Sequence, residues 1–99
     1  MIKISIKKEN NKIVAITIKG HSLYDDFGKD IVCSAVSSIV ITTVNAIIMI
    51  DKDAIKYEEK PSFQIDILKD EDIINKLIIN MINLLKELEK DYPKNIKFV

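Results

Sequence analysis

Apolar and polar residues alternate from the start of the chain. Ile2, Ile4 and Ile6 are separated by Lys3 and Ser5 and followed by Lys7, the period of a strand with one buried face. Glu9-Asn10-Asn11 is a turn signal, and Val14, Ile16 and Ile18 then resume the alternation, so residues 2–19 predict a β-hairpin. Gly20 to Asp30, GHSLYDDFGKD, predicts a loop that holds both glycines of the chain, Gly20 and Gly28. The pattern then changes. Ile31 to Ile50 is uncharged throughout and predicts a helix, with Asp30 as its N-cap because a carboxylate there accepts from the exposed first-turn amides. Ala54 to Glu59 predicts a third strand and Ser62 to Leu68 a fourth, with Pro61 between them. Asp70 is the expected N-cap of a second helix running to about Lys90, with Ile74, Leu77, Ile78, Met81, Leu85 and Leu88 as its apolar stripe. Tyr92-Pro93 ends that helix, and Asn95 to Val99 adds a short last strand. The order β-β-α-β-β-α-β predicts an α+β fold: an antiparallel or mixed sheet of about four to five strands with two helices, as a single domain over residues 1–99.

An uncharged stretch the length of Ile31–Ile50 matches a membrane span. Ser34, Ser37, Ser38, Thr42, Thr43 and Asn45 within it argue against insertion, as do the bounding aspartates Asp30 and Asp51 in place of lysine or aromatic anchors. The better expectation is a central helix buried on most sides, by the rest of the fold and by a second subunit. Lys+Arg and Asp+Glu both total 15, and every basic residue is lysine. Balanced charge and missing arginine argue against direct nucleic-acid binding. The first 19 residues do lean basic, through Lys3, Lys7, Lys8, Lys12 and Lys19 against Glu9. That is read as a solvated strand face first and a docking patch second. One cysteine permits no internal disulfide, and the N-terminus lacks the apolar core of a signal peptide, so a cytoplasmic protein is expected.

Candidate chemistry centres on the one histidine, His21, and the one cysteine, Cys33. If Asp30 is the N-cap, Cys33 is the third residue of the first helical turn. The positive end of the helix dipole and the unpaired amides there favour a thiolate. His21 follows the second strand, where an imidazole can lean over the start of the helix and take the thiol proton. The same amides could hold the oxyanion of a tetrahedral intermediate. The plain alternatives are a cysteine that is a small buried hydrophobe and a histidine that is an ordinary loop residue. Asn45 cannot complete a papain-like triad from the same helix: twelve residues on, at about 1.5 Å each, it stands roughly 18 Å away. Asp25, Asp26 and Asp30 are the nearby carboxylates that could orient His21. One Cys and one His are too few soft ligands for zinc, and no cofactor is implied.

Gly20-His21 followed by Gly28-Lys29-Asp30-Ile31-Val32-Cys33-Ser34-Ala35-Val36-Ser37 resembles the signature of the ribosomal-processing cysteine protease family, Prp. The likeness extends through the hairpin, Thr42-Thr43-Val44-Asn45-Ala46, Tyr92-Pro93 and the tail from Ile96 to Val99. Ser22 and Ser34 depart from it where alanine is common. The resemblance implies a homodimeric endopeptidase that removes the N-terminal extension of a large-subunit ribosomal protein, the twenty-seventh of the L series. It implies a catalytic dyad of Cys33 and His21, with Asp30 and Ser37 binding substrate or shaping the site. An N-cap and a helix-packing serine are at least as strong readings of those two. Gly20 and Gly28 bracket Leu23, Tyr24 and Phe27, which suit a lid over an extended peptide; an ordinary loop packed on the core is the alternative. A non-catalytic ribosome-assembly module and a thiol redox sensor are the competing functions.

Overall fold

The computed structural model describes residues 1–20 and 31–99. Its elements are β1 (Ile2–Glu9), β2 (Lys12–Lys19), α1 (Ile31–Ile50), β3 (Ile55–Glu58), β4 (Phe63–Ile67), α2 (Asp72–Asp91) and β5 (Ile96–Phe98). This is the predicted order, and the sheet is mixed. Its strands run β3-β4-β2-β1-β5, with β5 parallel to β1 and the other neighbours antiparallel. Asn10 and Asn11 both take positive φ, 50° and 67°, the two-residue turn whose twist suits a hairpin.

Register places like with like. Ile4, Ile18 and Phe63 lie side by side on β1, β2 and β4, and Ile6, Ile16 and Ile65 form the next row. These rows face the helices and join Val36, Val40, Val44 and Ile47 of α1 and Ile74, Ile78, Met81 and Leu85 of α2 in one core. The opposite face carries Lys3, Ser5, Lys7, Thr17, Lys19, Gln64 and Lys97 between the apolar positions, and no described element covers it. Helices on one side of a sheet and water on the other are what strict period-2 strands demand.

One expectation needs correction. The N-cap of α2 is Glu71, whose carbonyl accepts from the Asn75 amide at 2.9 Å, and its side chain makes no capping bond. Asp70 instead accepts from the Asn75 side-chain amide at 2.7 Å and from Lys12 on the hairpin, so a tertiary contact draws its carboxylate away from the helix end. Within one chain α1 is buried along one stripe: Val32, Cys33, Val36, Val40, Thr43, Val44 and Ile47 face inward, while Met49 is 88% exposed. No described element covers the helix's outer side, which is the side the expectation assigned to a second subunit.

Candidate active site

α1 begins at Ile31, so Cys33 is its third residue, as expected. The first amides of a helix have no intrahelical acceptor, and the dipole leaves positive charge at this end. Cys33 is 5% exposed, with its side chain at the edge of the core. The C-terminal end of α1 is fixed by Asp51, whose carboxylate accepts from Lys69 at 2.8 Å, and by Ala54, which precedes β3. A twenty-residue helix is about 30 Å long and crosses the whole sheet. Its first turn therefore lies at the other end, where β2 finishes at Lys19 and β4 starts at Phe63.

Gly20 closes β2 at that end. Its φ is +81°, and a Cβ there would stand 2.3 Å from the Met1 carbonyl oxygen, so a side chain would strike fixed backbone. The left-handed turn and the close approach to β1 therefore require glycine where β2 ends. Nothing local in the sequence marks Met1 as its neighbour. Ser37 lies one turn beyond Cys33, half-buried, and its hydroxyl donates to the Cys33 carbonyl at 3.0 Å. The structure thus brings Ser37 against the cysteine's own backbone. Asn45 is exposed on the same unbroken helix, three turns from Cys33. His21, Tyr24, Asp25, Asp26, Phe27, Gly28 and Asp30 lie outside the described residues, as does the proposed lid. Among the described residues no cluster of His, Cys, Asp and Glu could hold a metal ion. A cleft of about 290 Å³, lined by residues including Lys8, Ile13, Ile67 and Ile78, sits at the hairpin end, away from Cys33.

Solved structures share this arrangement. An essential ribosomal processing protease Prp from S. aureus, in complex with a substrate peptide, superposes with a TM-score of 0.85 at 26% identity, covering 100% of this chain and 98% of that one. The same protease with a covalently linked product peptide gives 0.83 at 27% identity, covering 99% and 97%. A ribosomal processing cysteine protease Prp from Mycoplasma genitalium is 31% identical over 99 residues, which span 97% of this chain and 92% of that one. The fold, with its thiol in the first turn of the central helix, is that of a cysteine protease. The model of the cysteine protease Prp family matches residues 1–97, and the chain belongs to that family.

Proposed function

We propose that this chain is a cytosolic endopeptidase that removes the short N-terminal extension of a large-subunit ribosomal protein, the twenty-seventh of the L series. Cys33 is the nucleophile and His21 its general base. The observation that carries the proposal is the position of Cys33, third in α1, in a chain matched by the family model over nearly its whole length. His21 accepts the thiol proton as sulfur attacks the scissile carbonyl. Collapse of the tetrahedral adduct breaks the C–N bond, and the imidazolium returns the proton to the leaving amine. Water then attacks the thioester with the same histidine as base, releasing the acid and restoring the thiol. First-turn amides hold the oxyanion. Ser37 and Asp30 shape the start of the helix, Gly20 and Gly28 bound the loop, and Tyr24 and Phe27 contact the peptide.

The outer face of α1 supports a homodimer. Ser34, Ser38, Ile41, Thr42, Asn45 and Ile48 are exposed at helical spacing with no charge among them. A solvated helix face normally carries charge, whereas this one suits a symmetric contact with a second copy.

The test is cleavage of the extended ribosomal protein by the purified chain, beside Cys33→Ala and His21→Ala. Wild type is expected to release the extension, and each folded variant to fall by at least about a thousandfold. The burial of Cys33 favours a second reading, a non-catalytic assembly module. Alkylation separates the two: an active thiol reacts quickly near neutral pH, whereas a structural one reacts on unfolding.

A further inference from the structure

The sheet ends in two edge strands, β5 and β3, and the chain treats them differently. At β5, the Asn95 carbonyl and the Val99 amide bond to β1, so the intervening Ile96 and Phe98 turn their backbone groups outward. Both of those amides are taken. Ile96 donates to the Tyr92 carbonyl at 3.3 Å and Phe98 to the Glu89 carboxylate at 2.7 Å, while the Lys86 ammonium stands 5.8 Å from the centre of the Phe98 ring. Helix α2 and the turn after it close this edge. At β3, the Leu68 amide donates to the Ala54 carbonyl at 2.8 Å. Antiparallel ladders alternate, so Lys56 and Glu58 also bond to β4, and Ile55 and Tyr57 turn outward. Among the described residues nothing meets the N–H and C=O groups of those two. Unpaired groups of this kind are a template for a further strand.

We propose that the β3 edge binds an extended stretch of the substrate polypeptide as a sixth strand; the inference rests on the protease reading. Main-chain bonds hold extended peptides at sheet edges in this way. The direction of β3 suits the role. Its last residue, Glu58, pairs with Gln64, next to Phe63 and Ile18, at the end of the sheet where α1 begins. A strand laid along β3 thus leads toward the helical turn that carries Cys33. A second copy of the chain fits this edge less well. The register that engages both Ile55 and Tyr57 of each copy sets Lys56 opposite Lys56, and like charges directly opposite destabilise a sheet. The added strand's side chains alternate as those of β3 do. Those beside Ile55 and Tyr57 lie on the core side, next to a half-buried ring, and suit apolar residues. Those beside Lys56 and Glu58, which already share an ion pair at 3.6 Å, face water.

Amide hydrogen exchange of the whole chain carrying Cys33→Ala, followed by NMR, tests this. Cys33→Ser takes its place should that variant not fold. The probe is a synthetic peptide of the ribosomal protein's extension and the residues that follow it. In the free protein the Ile55 and Tyr57 amides are expected to exchange at least about tenfold faster than those of Lys56 and Glu58. Saturating peptide slows them at least about tenfold and leaves Ile96 and Phe98 unchanged. Peptides N-methylated at alternate amides give a second measure. One of the two sets loses at least about tenfold in affinity and the other stays within about twofold, because only alternate amides face β3. Equal loss in both sets overturns the inference. Cleavage of the peptide by the wild type, with Ile55 and Tyr57 unchanged in the variant, overturns it and leaves the protease reading standing. Neither cleavage nor binding overturns both. Slowing that needs no peptide and grows with protein concentration also overturns it, in favour of a second copy.

Discussion

Gly20 is the described residue whose conformation bears most directly on the site. A methyl group there meets the Met1 carbonyl at 2.3 Å while the backbone sits at φ +81°. Gly20→Ala is therefore expected to cost about 1–3 kcal/mol and to shift the start of the His21 segment. A thermal melt and kcat/KM on the same sample read both effects, and unchanged values in both would show that the neighbouring backbone yields freely. At the far end of α1, Lys69 donates to Asp51 and holds that carboxyl below its usual range, with the Asp53 amide adding to the effect. Glu71 shifts upward, chiefly through its hydrogen bond with Asp51. The two act with opposite sign. Asp51 contributes stability above the ordinary aspartate range that fades as pH falls through its lowered value; Glu71 contributes below the ordinary glutamate range and loses its contribution as pH rises through its raised one. Lys69→Met is thus expected to lower Tm near neutral pH, by an amount that shrinks as pH falls through the lowered Asp51 range.

Helix α2 begins without a side-chain cap, although Glu71 has the extended backbone of a capping residue, φ −112° and ψ 135°. A serine hydroxyl reaches the free amides of the first turn where the longer glutamate does not. Glu71→Ser also removes one carboxylate from beside Asp51. A Tm rise of a few degrees is expected near neutral pH, read by circular dichroism. Helix α1 raises a different question, since its outer stripe is uncharged and exposed. Ser38→Lys with Ile48→Glu places opposite charges on that stripe, away from the core. Light scattering is expected to show a wild-type dimer and a folded monomeric variant. A wild type that is monomeric at every accessible concentration would remove the homodimer.

Across the whole molecule, what was legible in the sequence is what repeats locally. The alternation at Ile2, Ile4 and Ile6 and at Val14, Ile16 and Ile18, and the stripe from Ile74 to Leu88, predict the elements within a residue or two, because burial imposes period 2 or 3.6 on any chain. The place of Cys33 in the first turn of α1 was legible for the same reason: the uncharged run marks where the helix begins. The cap of α2 is not legible locally, because Asp70 is claimed by Lys12, 58 positions away. How the apolar surface of α1 divides between core and outer face is not legible either, because apolar composition does not tell a core stripe from an interface. Tertiary structure alone decided the strand order, the parallel pairing of β1 with β5, the meeting of Gly20 with Met1 and the alignment of Lys97, Lys3 and Lys19. Each joins residues distant in the chain through register, and register follows from packing all the strands at once, which no single stretch of sequence contains.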